Sequence, residues 1–214
     1  MLSTFATRQE IIDGLTPKPV PIDVHGNRVH LLPLRAGDRV EFCEVCKILD
    51  SQAVKSYADY MTYGGKLLAL MLCDESGSLL NVGADEFSEV PAPTFENAVK
   101  AAREISGFGS DPPTLPTERY AGGLYRFSLK GLSLLVRKLT SEDWESWNKF
   151  TTDLPGRKKN SPAVDMWVAS KTLVSPHGRA LFRSPHELAD LDGAAIRTIS
   201  EVVQRVTGIP KASN

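Results

Sequence analysis

The sequence predicts an α+β fold, mainly helical, made of two tandem copies of one module, each a β-hairpin followed by three to four helices. Three observations predict it. A glycine-closed turn occurs twice, as Leu72-Cys73-Asp74-Glu75-Ser76-Gly77-Ser78-Leu79-Leu80 and Leu173-Val174-Ser175-Pro176-His177-Gly178-Arg179-Ala180-Leu181. At this one spacing Leu72, Gly77, Leu80 and Glu86 recur as Leu173, Gly178, Leu181 and Glu187, and Gly107 recurs as Gly208. Upstream, a spacing four residues longer aligns Gly26, Leu31, Leu34, Asp38 and Phe42 with Gly131, Val136, Leu139, Asp143 and Trp147. The slip falls between helices, where insertions are best tolerated. The expected organisation is an N-terminal helix and extended lead (1–19), module one (20–109), a proline-rich linker (110–124), module two (125–209) and a short tail (210–214).

Each element has a local cause. Residues 3–15 predict a short helix capped by Ser3 or Thr4, with Phe5, Ile11, Ile12 and Leu15 as a partial apolar stripe. Pro17, Pro19 and Pro21 then force extended chain. Val20–Val24 and residues 28–34 are β-prone runs around His25-Gly26-Asn27, with Gly26 supplying a positive φ. Module two repeats this with Tyr125–Leu129 and residues 132–139 around Lys130-Gly131.

A helix follows each hairpin. Thr140-Ser141-Glu142-Asp143 resembles a capping box, and Trp144, Trp147 and Phe150 recur along one face. In module one Asp38-Arg39 opens the helix, and Val40, Phe42, Val45, Ile48 and Leu49 form its apolar side. The next helix spans residues 53–73, with Tyr57, Met61, Leu67, Leu68 and Met71 apolar and Gly64-Gly65 a weak point, or residues 163–174 in module two. Ser184-Pro185-His186-Glu187 reads as a strong helix start. Final helices at residues 94–106 and 194–207 are stopped by Gly107 and Gly208.

The composition narrows the function. A formal net charge of −1 argues against a protein devoted to nucleic-acid backbone, since the one dense basic run is Arg157-Lys158-Lys159. No apolar run approaches bilayer-spanning length, so no membrane association is expected. Three cysteines make no disulfide framework, which fits a cytoplasmic protein. No phosphate-cradling loop, zincin pair or nucleophile elbow is present, so neither enzyme activity nor a cofactor is expected. Cys43-x-x-Cys46 falls inside a predicted helix and reads as two small apolar residues. His25, His30, His177 and His186 fall at turns and element starts; His177 and His186 could face each other across the second turn. Asp74-Glu75 and Asp85-Glu86 read as turn solvation and helix N-terminal charge rather than a cation site.

Three features in order carry a family resemblance: Val24-His25-Gly26-Asn27-Arg28-Val29; the helix start Leu34-Arg35-Ala36-Gly37-Asp38-Arg39; and the long helix ending in Leu72-Cys73-Asp74-Glu75-Ser76-Gly77 before an acidic helix start. In this the chain resembles the tail assembly chaperones of long-tailed bacteriophages. Module two departs in detail, with Ser175-Pro176-His177-Gly178 at the turn and Trp144 in place of the arginine. The resemblance implies a protein of the host cytoplasm that binds the tape measure protein and helps recruit tail tube subunits, by contact and without ATP. Tyr60, Trp144 and Trp147 are the candidate anchors, and self-association is a further expectation. The alternative is a virion component of the tail or baseplate.

Overall fold

The computed structural model describes residues 5–43, 56–108, 113–153 and 161–209. It is α+β, with two three-stranded antiparallel sheets. The chain forms two compact units: a first unit of residues 17–111, and a second that joins residues 1–16 to residues 112–214. Arg157-Lys158-Lys159, Val45, Cys46, Ile48, Leu49 and the tail from 210 lie outside the described residues.

In the first unit β1 (Val20–Val24) pairs with β2 (Asn27–Leu31). The turn is two residues long, not three: His25 and Gly26 both have positive φ, 52° and 79°. That conformation twists in the same sense as the strands it joins, and Asp23 Oδ1 steadies it by accepting from Gly26 N at 2.9 Å. After the short α2 (Ala36–Glu41), the long helix α3 (Tyr57–Met71) is capped by Ser56, which accepts from Asp59 N. α3 runs into β3 (Leu72–Cys73), which pairs with β2. A 3-10 segment (Ala84–Glu89) and α4 (Ala92–Ile105) complete the unit. Leu31, Leu34, Leu67, Leu68, Met71, Phe95 and Val99 form its core.

Arg39 opens no helix end; it is buried. Its Nη1 donates to Ser106 O at 2.5 Å and its guanidinium lies 4.3 Å from the Phe108 ring centroid, fastening α2 to the end of α4. Gly64-Gly65 is not a weak point either. Both glycines are buried within a continuous α3, where neighbouring atoms leave no room for a Cβ. Tyr57, expected on the apolar side, is half exposed at the first turn of α3.

In the second unit α1 (Arg8–Leu15) begins later than residues 3–15 predict. Thr7 caps it, because Glu10 stands at the spacing that closes a reciprocal box: Thr7 Oγ1 accepts from Glu10 N, and Glu10 Oε2 accepts from Thr7 N at 2.7 Å. The end of the expected linker is sheet: β4 (Glu118–Arg119) pairs with β5 (Tyr125–Leu129), which pairs with β6 (Leu132–Val136). α5 (Ser141–Asp153) starts at the predicted Thr140–Asp143 box, and α6 (Pro162–Thr172) is capped by Ser161. Ser184-Pro185-His186-Glu187 closes its box but yields only one 3-10 turn (Pro185–Leu188). The chain then bends so that Leu188 and Leu191 both bury, and α7 (Gly193–Thr207) starts afresh at Asp192, which accepts from Ala194 N and Ala195 N.

The two units carry the same hydrogen bonds at the spacings read from the sequence. Val20 faces Leu31 as Tyr125 faces Val136, and the next four pairs match in turn. Leu32 N donates to Met71 O as Arg137 N does to Thr172 O. At the repeated turn Asp74 N to Ser78 O, Gly77 N to Asp74 O and Leu80 N to Leu72 O recur from Ser175, Gly178 and Leu181. Leu34 N meets Ser106 Oγ as Leu139 N meets Thr207 Oγ1. Gly107 and Gly208, at φ 68° and 86°, end the last helices.

Asp143 is the polar hub of α5. Its carboxylate accepts from Arg137 at 2.5 and 3.0 Å and from Thr140 N at 2.7 Å. Burial pushes its pKa up, but the bonds from Arg137 and Thr140 outweigh burial and hold it below the ordinary value. A depressed folded value means the contribution is present above the unfolded value, about 3.9, and is lost as pH falls through the folded one. Asp143→Asn is expected to cost about 1–2 kcal/mol at neutral pH. It should also flatten the acid limb of a urea-denaturation series taken below about pH 4.

Candidate contact site

The first unit has an apolar cleft of about 140 Å³. β1 and β2 supply Ile22, Val24, Val29 and Leu31 on one side; Leu68 of α3, Leu72 of β3, and Phe87 and Val90 form the next. The first turns of α4 close it with Thr94, Phe95 and Ala98, and Asn27 adds the other polar side chain. Strand alternation explains the β side, since Ile22 and Val24 on β1 and Val29 and Leu31 on β2 point to one face. Ile22, Val29, Val90, Thr94 and Ala98 remain only half-buried. Their counterparts in the second unit, Phe127, Leu134, Leu191, Ala195 and Ile199, are all 2% exposed or less.

α1 packs against the second unit at Leu132, Glu187 and Asp192. Ile11 and Leu15 are 1% and 0% exposed, although α1 directly precedes the first unit in sequence. Asp192 N donates to Leu15 O at 2.8 Å, and Arg8 Nη2 donates to Glu187 Oε2 at 2.8 Å. A Cβ on Gly14 would stand 2.9 Å from Leu132 Cδ1, so helix and strand touch closely there.

The expected anchors are placed apart. Tyr60 lies in the first unit, half-buried, with its ring edge-on to Phe95 at 5.9 Å; burial raises its pKa. Trp144 and Trp147 lie in the second. Trp144 is half-buried, whereas Trp147 is 7% exposed, wedged edge-on between Trp144 at 5.7 Å and Trp167 at 5.5 Å. Recurrence every three residues put Trp147 on the inward face of α5, so it serves the core rather than a partner. The exposed large apolar side chains among the described residues are Tyr57, Leu80 and Tyr120.

The other chemistry-bearing residues have structural employment. Asp74 Oδ1 accepts from Ser76 N, Ser76 Oγ and Ser78 N at 2.6–2.9 Å; the Ser76 hydroxyl first, then the Ser78 backbone, hold its carboxyl below the usual range. Glu86 Oε1 accepts from Gly83 N at 2.7 Å, closing the 3-10 segment. Burial pushes the Cys73 thiol up, away from the reactive thiolate. Cys43 is half-buried just beyond α2. His177 and His186 are both exposed, and His25 Nε2 lies 3.4 Å from Asn97 Nδ2. Among the described residues no His, Cys, Asp and Glu side chains gather as a metal ion needs, and no helix is long and apolar enough to cross a membrane.

No protein-family model, curated protein or solved structure matches the chain.

Proposed function

We propose that the protein acts by contact, as a bacteriophage tail assembly chaperone that binds the tape measure protein and helps recruit tail tube subunits without ATP. The observation that supports this reading is the first unit's cleft, which is apolar and lined by the half-buried Ile22, Val29, Val90 and Ala98. Such a groove offers burial to one face of an amphipathic helix. Burying apolar surface contributes about 25 cal/mol per Å². A passive holder needs no more than that to keep a long helical chain from self-associating.

Co-expression with the tape measure protein of the same phage tests it. The soluble fraction of the tape measure protein is expected to rise severalfold and to co-purify with this chain. An unchanged insoluble fraction sinks the reading. Recovery of the chain in purified, washed phage particles at a fixed copy number would instead make it a tail or baseplate component.

A further inference from the structure

In the second unit the place corresponding to the first unit's cleft is bordered by α1, whose Ile11 and Leu15 are buried. At the shared spacings, the residues that border α1 have counterparts around the open cleft. Leu132, against Gly14, corresponds to Asn27; Glu187, bound to Arg8, corresponds to Glu86; Asp192, bound to Leu15 O, corresponds to Pro91, next to Val90. We propose that the first unit's cleft is the seat of one amphipathic helix from a partner polypeptide, docked as α1 is docked in the second unit. This deepens the contact reading above and rests on it for the identity of the partner.

The chemistry of the occupant follows from α1. It carries two branched aliphatic side chains four residues apart, as Ile11 and Leu15 are. It carries a basic residue one turn before them, as Arg8 is. The cleft's rim supports the second requirement: Asp85, Glu86 and Glu89 are all exposed along the 3-10 segment. Glu86 Oε1 accepts from Gly83 N, as Glu187 Oε1 accepts from Ser184 N while its Oε2 accepts from Arg8 Nη2. Pro91 has no N–H, so the occupant's last carbonyl forgoes the bond that Asp192 N gives Leu15. The occupant is not α1 of a second copy. Lending it would strip Ile11 and Leu15 from the core of the unit in which they are buried.

The probe is a fluorescein-labelled peptide of residues 5–18, titrated into the full chain with anisotropy as readout. Saturable binding is expected. Ala98→Phe fills the cleft and should weaken binding about tenfold or more. Glu86→Gln keeps the closing bond to Gly83 N, removes the rim charge, and should weaken binding about threefold and reduce its salt dependence. Amide shift perturbations in the unaltered protein locate the site independently of either variant, and should fall on Val24, Val29, Val90 and Ala98. Perturbations confined to β6 and α7, meaning exchange with the resident α1, or no binding at all, overturn the proposal. The two readings fail separately. A tape measure protein solubilised equally well by the Ala98→Phe chain keeps the chaperone and sinks the cleft. Peptide binding lost in that variant, with no solubilisation by either chain, does the reverse.

Discussion

Replacing Leu15 with alanine is expected to destabilise the second unit by about 2–5 kcal/mol, the cost of emptying a fully buried leucine site. Leu15 is 0% exposed, and its backbone is pinned by the bond from Asp192 N at the start of α7. The site cannot collapse easily, because Gly14 already lies against Leu132 and α7 is anchored there by its own cap. Ile12→Ala, three residues away on the half-buried side, should cost much less. Hydrogen exchange shows where the loss falls. Amides of β5, β6 and α7 should lose protection in Leu15→Ala, while those of β1, five residues downstream in sequence, keep it. Loss of protection in β1 and β2 instead would mean that α1 supports the unit it adjoins in sequence, and would remove the template for the docking proposal.

Much of the fold was legible because its turns have strict local requirements. Gly26, Gly77, Gly107 and their partners Gly131, Gly178 and Gly208 all have positive φ, a conformation that other residues adopt at a cost. The spacing of these glycines therefore marks the hairpins, the polar turns and the helix stops. Capping boxes were legible for the same reason at Thr140–Asp143, and misleading at Ser184–Glu187. There the box closed, but tertiary burial of Leu188 and Leu191 ended the turn. Two things were not legible. Nothing in residues 5–16 says which unit α1 will cover, since an amphipathic stripe states that a face must be buried and not where. The cleft was equally hidden, because Ile22, Val29 and Ala98 look like ordinary core residues and only their half-burial in the structure sets them apart. The size of Trp147 suits a core as well as an interface; only its 7% exposure separates the two.

Gly65→Val is expected to destabilise the first unit by about 3 kcal/mol, with Gly65→Ala smaller and of the same sign. Helix propensity alone predicts the reverse for alanine, a gain of about 1 kcal/mol over glycine in a helix interior. The structure decides between them. A Cβ on Gly65 would stand 2.7 Å from the carbonyl oxygen of Ala84, a backbone atom of the 3-10 segment that Glu86 holds closed. Backbone so tied cannot move aside as a side chain can. At Gly64 the obstacles are side chains, Val99 Cγ2 at 2.7 Å and Phe95 Cζ at 2.8 Å, but both residues are 0% exposed and leave no space to rotate into. The second unit has Asp165 and Met166 at the corresponding places, so the glycines answer to this unit's own close approach between α3 and the segment that rims the cleft. Pushing that segment away from α3 would also move Phe87 and Val90, two of the cleft's lining residues. Gly65→Ala should therefore weaken binding of the residue 5–18 peptide even at temperatures where the variant remains folded by circular dichroism. Stabilisation by Gly65→Ala in a urea titration, with peptide binding intact, would mean that Ala84 and α3 do not meet as closely as the structure places them.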